Sequence, residues 1–197
     1  MQSLYYFIVK PLNDRYDNTR RVAGTDLIIN SGIEDHRFIS KKAVVVSTPA
    51  AYTTKINVGD ELYIHHNIFR RWYDQKGKER NSSTHFKDDL YFVAPEQIYM
   101  YNLKPHLDYC FIKPLKNQSI LENRKEQPNV GIVKYSNKSL EALEITPETL
   151  ITFTPNSEFE FIIEGERLYC MKSNDIALTH EYQGNEEENN PSWAKSS

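Results

Sequence analysis

Short apolar runs separated by turn residues follow one another along the whole chain. Residues 5–12 read YYFIVKPL, residues 43–47 read AVVVS and residues 90–93 read LYFV. These runs are rich in Tyr, Phe, Val and Ile, which favour strands, and Gly, Pro, Asn and Asp stand between them, as they do in turns. The pattern predicts an all-β fold of short strands, with at most one or two helical turns at Ser139–Glu144.

The individual strands can be placed from the same pattern. The first predicted strand ends at Pro11, and the others cover Val44–Val46, Glu61–Ile64, Leu150–Phe153, Phe159–Ile163 and Glu166–Met171. Two longer runs, Ile68–Tyr73 and Phe86–Val93, flank Lys76-Gly77-Lys78. They are predicted to pair as one long hairpin with an irregular tip.

The chain also contains matching blocks in its two halves. DYCFIKPL at 108–115 matches YYFIVKPL at an offset of 103 residues. LYCMKSNDI at 168–176 matches LYFVAPEQI at 90–98 at an offset of 78. Blocks that recur in the same order indicate an internal repeat, which decides the fold before any single element does.

Two looser matches lie between these blocks, both at an offset of 88. GIVKY at 131–135 corresponds to AVVVS, and TPETLIT at 146–152 corresponds to VGDELYI at 58–64. The falling offset predicts that the second copy is shorter in two places, after its first strand and in its later hairpin region.

The repeat predicts two related domains, at 1–102 and 103–182, and the remaining residues 183–197 differ from both. They read QGNEEENNPSWAKSS, a polar and acidic stretch that predicts a disordered tail. Trp193 is either a docking anchor within this tail or an incidental residue.

Composition narrows the class of protein. The net charge of −3 gives no basic field for nucleic acid, and no apolar run approaches the roughly 20 residues of a membrane helix. Two cysteines without a secretory leader favour the cytoplasm. Cys110 and Cys170 align with Phe7 and Phe92, which predicts buried, unreactive thiols.

An ordered set of motifs spans most of residues 5–101. The set comprises Pro11-Leu12-Asn13-Asp14-Arg15 after the first strand, the small or polar residues Ala23, Gly24, Thr25 and Asp26, the aliphatic triplet Leu27, Ile28 and Ile29, the strand Ala43–Val46, the turn Val58-Gly59-Asp60 and the ending Glu96-Gln97-Ile98. This order resembles the GroES-type co-chaperonin family, and most of all its phage-encoded members.

The resemblance implies a fold and a function together. It implies two tandem GroES-like small β-barrels, the second reduced, and a mobile loop that contains residues 23–26. Leu27, Ile28 and Ile29 would bind a GroEL-like chaperonin ring. It implies a homo-oligomeric ring without cofactor, metal or catalysis, in the cytoplasm (the host's, for a viral protein), with neither membrane nor nucleic acid as partner.

The chemistry of the loop agrees with such a role. Residues 14–41 are largely charged or polar around one aliphatic triplet, so this stretch buries too little to fold alone. Three buried aliphatic side chains gain roughly 5–9 kcal/mol. Ordering about ten residues costs on the order of 1 kcal/mol each. One loop therefore binds weakly, and several on a symmetric ring bind well.

Other interpretations compete with this one. Leu27–Ile29 can instead be an ordinary strand of the barrel, and the protein a phage virion or assembly component that reuses the fold. Residues 69–80, FRRWYDQKGKER, mix cations with aromatics and suit single-stranded nucleic acid, a third hypothesis. His65 and His66 are weighed as metal ligands with His85, but adjacent strand residues point to opposite faces. No catalytic grouping stands out, so no enzyme is predicted.

Overall fold

The structure is a computed structural model that describes residues 2–16, 19–22, 25–28, 35–117, 125–181 and 186–196, with 19–22 and 25–28 described by their backbone. The chain is mostly β, as its pattern predicts. It divides into two compact units, Met1–Leu103 and Lys104–Ser197. No helix in the described ranges is long and apolar enough to cross a membrane.

The first unit consists of short strands and single helical turns. Its strands are β1 (Phe7–Pro11), β2 (Thr19–Val22), β3 (Thr25–Ile28), β4 (Lys42–Ser47), β5 (Glu61–Ile64), β6 (Arg71–Tyr73), β7 (Glu79–Asn81), β8 (His85–Lys87), β9 (Leu90–Val93) and β10 (Ile98–Tyr101). Three 3-10 helices cover His36–Phe38, His66–Ile68 and Pro95–Gln97.

The second unit has fewer elements and longer strands. They are β11 (Lys104–Pro105), β12 (Tyr109–Lys116), β13 (Glu126–Tyr135), β14 (Leu150–Phe153), β15 (Phe159–Ile163), β16 (Glu166–Lys172) and β17 (Ile176–His180). The helix α1 (Lys138–Glu141) is capped by the Asn137 side chain, which accepts from the Leu140 N–H. Two 3-10 helices cover Ser173–Asp175 and Ser192–Ser196.

The main sheets of the two units have the same strand order. Within the first unit the order is β10-β5-β4-β1-β9-β8, and in the second it is β17-β14-β13-β12-β16-β15. All the pairings are antiparallel. In the described ranges neither sheet closes on itself, because its two end strands are not paired with each other.

The register of the central strands is also the same. Lys10 pairs with Val44 and Pro11 with Ala43, while Lys113 pairs with Ile132 and Pro114 with Gly131. Both pairings shift register at equivalent points, after residue 8 and after residue 111. The offsets of 103 and 88 therefore describe the hydrogen-bonded pairing as well as the sequence.

Each unit buries one face of its sheet in a core of its own. In the first unit Phe7, Val9 and Tyr91 pack with residues of β4, β5 and β10. In the second unit Cys110 and Ile112 take the equivalent places and pack with residues of β13, β14 and β16. The alternation of buried and outward residues along each strand follows from the two-residue period of a strand.

One of the sequence matches is displaced by a residue. Leu62 pairs with Ala43, and its counterpart Ile151 pairs with Gly131, so β5 and β14 correspond at an offset of 89. The offset of 88 would have equated buried Ile64 with Thr152, whereas 89 equates it with buried Phe153. The loose match VGDELYI to TPETLIT could not detect this shift, because it contains few identical residues.

The predicted long hairpin of Ile68–Tyr73 with Phe86–Val93 is wrong. β6 pairs with β7, and β8 pairs with β9, so two short hairpins replace the long one. Asp88 has a φ of 49°, which turns the chain between β8 and β9 and ends the run that the apolar pattern had joined.

The predicted disordered tail is ordered over 186–196 and lies against the second unit. Leu115 forms an antiparallel bridge with Glu188, and Ala194 is fully buried. Backbone hydrogen bonds and ion pairs with Lys113 and Lys116 hold a segment with few apolar residues. Trp193 is half exposed, and residues 183–185 lie outside the described ranges.

Gly131 allows β13 to approach β12 closely. A Cβ atom at this position would lie 2.5 Å from the Ile112 Cγ2 atom and 2.6 Å from the Lys113 carbonyl oxygen. We expect Gly131→Ala to lower the free energy of unfolding by about 1–3 kcal/mol, because the backbone must move to admit the methyl group. Chemical denaturation measures this, with the exposed Glu141→Ala as control. Equal stability of the two variants would contradict the close contact.

Candidate functional site

The residues of the predicted chaperonin-binding loop lie in an arm, which we define as residues 17–38. Within it β2 and β3 form a two-stranded antiparallel sheet in which Arg20 pairs with Leu27 and Thr19 with Ile28. In the described part of the chain this sheet is separate from the main sheet of the first unit. The alternative in which Leu27 and Ile28 belong to a strand of the main sheet is therefore not what the backbone adopts.

The structure describes only part of the predicted site. The backbones of Thr25, Asp26, Leu27 and Ile28 form β3. Ala23, Gly24 and Ile29 lie outside the described residues. Val22, the last residue of β2, is opposite Thr25, the first residue of β3, so these two strands form a hairpin.

The arm leaves the first unit through a closed neck. Tyr16, just before the arm, forms an antiparallel bridge with Ile39, just after it, and both side chains are buried. The Ser40 N–H donates to the Arg15 carbonyl at 3.1 Å. The 22 residues of the arm therefore begin and end at one fixed point, although most of them are polar.

Arg15 fastens this neck to a second part of the unit. Its guanidinium donates to the Phe69 carbonyl at 2.6 Å, the Arg70 carbonyl at 3.1 Å and the Asn81 side chain at 2.7 Å. The same group lies 5.2 Å from the centre of the Tyr91 ring. All three guanidinium nitrogens thus donate hydrogen bonds in fixed directions, a geometry that lysine cannot reproduce.

Tyr16 makes the second link of the neck. Its hydroxyl accepts from the Arg71 N–H at 2.8 Å, and the Arg71 guanidinium lies 4.5 Å from the centre of its ring. Arg71 also forms an ion pair with Glu79 at 3.1 Å across the β6–β7 hairpin. The neck therefore joins the arm to this hairpin through hydrogen bonds, cation–π contact and charge.

The arm and the β6–β7 hairpin are the two segments that distinguish the first unit from the second. The arm lies between β1 and β4, where only nine residues, 117–125, separate β12 from β13. The hairpin lies between β5 and β9, where the second unit has no corresponding pair of strands in its described ranges. The two additions are separate in sequence and meet at Arg15 and Tyr16.

A salt bridge marks the return of the arm to the unit. Asp35 caps the 3-10 helix His36–Phe38 by accepting from the Arg37 N–H, and its carboxylate forms a 2.7 Å ion pair with the Arg37 guanidinium. Hydrogen bonds from Arg37 lower the pKa of Asp35 to about 2. At neutral pH the carboxylate is charged with or without this shift, and its structural contribution is the cap on the last turn of the arm.

Three histidines cluster beside this turn. The rings of His65 and His66 stack with centroids 4.4 Å apart, and the ring of His36 lies 5.5 Å from that of His66. The expectation that His65 and His66 point to opposite faces is wrong, because β5 ends at Ile64 and a 3-10 helix starts at His66. His85 is not part of this cluster and packs on the Tyr91 ring at 5.2 Å.

Burial in this cluster favours the neutral form of His65 and His66. Burial lowers the pKa of His66 to about 4, and the neighbouring His65, His36, Lys41 and Arg70 act in the same direction. In the described ranges no group of three or more His, Cys, Asp or Glu side chains is arranged to hold a metal ion.

Two of the cationic side chains of residues 69–80 already form ion pairs within the β6–β7 hairpin. Arg80 pairs with Asp74 at 2.9 Å, and Arg71 is used at the neck and by Glu79. The aromatic side chains of Trp72 and Tyr73 are half exposed. The hairpin thus offers aromatic surface with less free positive charge than its sequence suggests, which weakens the basis of the nucleic-acid hypothesis.

Both cysteines are fully buried in the second unit. Burial raises the pKa of Cys110 to about 12 and raises that of Cys170 as well. A thiol must ionise to act as a nucleophile or metal ligand, so these positions serve packing.

Removal of the Tyr16 hydroxyl tests its role in the neck. Tyr16→Phe removes the acceptor of the partly buried Arg71 N–H and keeps the ring. We expect a loss of about 1 kcal/mol in the free energy of unfolding. Hydrogen exchange should also quicken at the Arg71 amide. Tyr5→Phe, at an exposed tyrosine, is the control, and equal effects of both changes would contradict the role of the hydroxyl.

The histidine cluster predicts acid sensitivity of the first unit. The pKa of His66 is depressed from 6.5 to about 4, so between these values the unfolded chain binds more protons than the folded one. Stability should therefore be full above about pH 6.5 and fall as the pH decreases toward 4. Thermal melts over this range should show a smaller decrease for His66→Gln. An unchanged decrease would contradict the assignment.

No protein-family model matches the chain, and a search of curated proteins found no similar sequence. The functional inference therefore depends on the geometry of the arm, its neck and the repeated sheets.

Proposed function

We propose that this chain is a co-chaperonin that binds a chaperonin ring through Leu27, Ile28 and Ile29 of the arm. The observation that carries the proposal is the separate β2–β3 hairpin, which contains Leu27 and Ile28 and leaves the first unit at a closed neck. A segment that forms its own small sheet is free to present residues to a partner, whereas a strand of the main sheet is not.

The repeated architecture supports the finer description of the fold. We propose that each unit is a GroES-like small barrel, since six strands follow the same order in both and their central pairings share one register. The second unit is the reduced copy, without an arm of comparable length. In this proposal the second unit extends the lid and the first unit makes the contact.

The neck suits the mechanics of such a contact. Arg15 and Tyr16 hold the base of the arm against the β6–β7 hairpin. A force on the arm would therefore be transmitted to the body of the first unit. A weak single arm still permits release. We propose that several copies form a homo-oligomeric ring, because later arms then engage at high effective concentration.

The remaining parts of the proposal follow from the same role. The chain would work in the cytoplasm without a cofactor and without catalysis of its own, and the chaperonin would supply the nucleotide chemistry. The client protein would be enclosed by the chaperonin, so the chain needs no deep binding pocket.

The aliphatic triplet gives the direct test. We expect the change of Leu27, Ile28 and Ile29 to Ser to weaken binding to a purified chaperonin with ADP by at least about tenfold, because each lost side chain contributes roughly 1.5–3 kcal/mol when buried. Binding is measured by pull-down and by interferometry on immobilised chaperonin.

A matched control distinguishes binding through the arm from non-specific hydrophobic binding. Leu4 and Val58 are exposed apolar residues of the same unit, so Leu4→Ser with Val58→Ser removes surface apolar groups outside the arm. This variant should bind normally. A complex that survives the change of the triplet, or no complex for the unmodified chain, would disprove the proposal.

A phage virion or assembly component is the second candidate. It is favoured by the second unit, which has no long arm and instead holds the C-terminal segment against its sheet. Native mass spectrometry of the chain with and without chaperonin separates the two. Ring and complex together support the co-chaperonin, whereas recovery of the chain in purified particles without chaperonin binding supports the structural role.

A further inference from the structure

The second unit contains a groove that binds an extended acidic segment, which in this structure is the chain's own residues 186–190. The Lys116 N–H donates to the Glu187 carbonyl at 2.8 Å, and the Asn189 N–H donates to the Pro114 carbonyl at 2.7 Å. These two bonds flank the bridge between Leu115 and Glu188. The segment is thus added to β12 as a short antiparallel strand.

The groove exists because β12 has a free edge over its last residues. β16 pairs with β12 only from Tyr109 to Ile112. Beyond Ile112 no pairing of β12 with β16 is found in the described ranges, and the C-terminal segment pairs with Pro114–Lys116 there instead. Pro114 has no N–H, so its carbonyl is the only backbone hydrogen-bonding group it offers, and this carbonyl accepts from the Asn189 N–H.

Charge complements the backbone pairing. Lys113 Nζ lies 2.6 Å from Glu188 and Lys116 Nζ lies 2.9 Å from Glu187. The polar groups continue beyond the strand: the Asn190 side chain accepts from the Arg167 N–H at 3.3 Å and donates to the Gly165 carbonyl at 3.4 Å. The groove therefore recognises an extended chain with acidic residues followed by an amide.

Beyond the strand, the 3-10 helix Ser192–Ser196 closes over the turn at Gly165. Ala194 is fully buried there, and a Cβ atom on Gly165 would lie 3.6 Å from the Lys195 Cα atom. The docked segment is small, and its charged contacts are largely exposed to water, where an ion pair contributes about 0–1 kcal/mol. The contact is therefore specific in direction but easily broken.

We infer that this groove also takes the C-terminal segment of a second copy of the chain. The groups described above that contact the segment belong to β12, β16 or the turn before β16, and Glu126 of β13 also bonds the Asn189 side chain. All of them are part of the body of the second unit and not of the segment itself. The contacts are the same whether the segment comes from the same chain or from a neighbour, which is the condition for exchange of an element between protomers. The inference holds for either candidate function.

Disulfide trapping in the full chain tests the exchange. Lys116 and Glu187 are opposite each other and both exposed, and such a pair has Cα atoms about 5.5 Å apart, within disulfide reach. Chains with Lys116→Cys are mixed with chains with Glu187→Cys and oxidised with glutathione disulfide. A disulfide between residues 116 and 187 can then form only between two chains. The buried Cys110 and Cys170 are unreactive.

The outcomes are read on non-reducing gels and by mass spectrometry of the linked peptides. We expect several-fold more of the mixed disulfide than from Lys116→Cys chains mixed with Glu181→Cys chains, because residue 181 lies outside the docked segment. The double variant Lys116→Cys with Glu187→Cys should close within one chain. The inference is overturned if the mixed pair does not exceed the control, or if the double variant fails to close.

Discussion

The structure depends on the pairing of one central strand in each unit. β1 and β12 each have neighbours on both sides, and each shifts register with one of them at the same relative point. Because side chains alternate between faces, that register determines which residues enter the core and which face outward. The remaining strands are placed by these two, and the two copies keep the same order although few of their residues are identical.

The two segments that the first unit adds to the shared sheet are connected to each other. The first unit adds the arm and the β6–β7 hairpin to the shared sheet, and Arg15 and Tyr16 connect them. Additions that are far apart in sequence yet bonded to each other behave as one structural element. The base of the arm is therefore fixed to the hairpin that carries the exposed aromatic side chains of Trp72 and Tyr73.

Much of the fold could be predicted from the sequence because short stretches of residues carry the signals for strands, turns and the repeat. Apolar runs and turn residues marked most strands, and the repeated KPL blocks fixed the correspondence of β1 with β12 at the right offset. The one-residue shift between β5 and β14 escaped because nothing identical anchors it. The long hairpin was wrong because apolar content does not show where Asp88 reverses the chain.

The candidate site was less predictable. The neck depends on a guanidinium that bonds backbone carbonyls 54 and 55 positions away, and no spacing or composition indicates such a contact. The stacked histidines depend on the 3-10 helix that begins at His66, directly after β5, and the strand pattern gave no sign of this helix. The C-terminal segment was predicted to be disordered because it is polar and acidic with few apolar residues, but backbone pairing with β12 and ion pairs hold it against the second unit.

Ala43 and Gly131 occupy the same place in the two sheets, beside Pro11 and Pro114. The first copy accommodates a methyl group there, whereas the second has no space for one. The residues at these two equivalent positions therefore cannot be exchanged without a change in packing. The two repeats thus share strand order and register but differ in their steric limits, and the alanine of the first copy could replace the glycine of the second only if β12 or β13 moved.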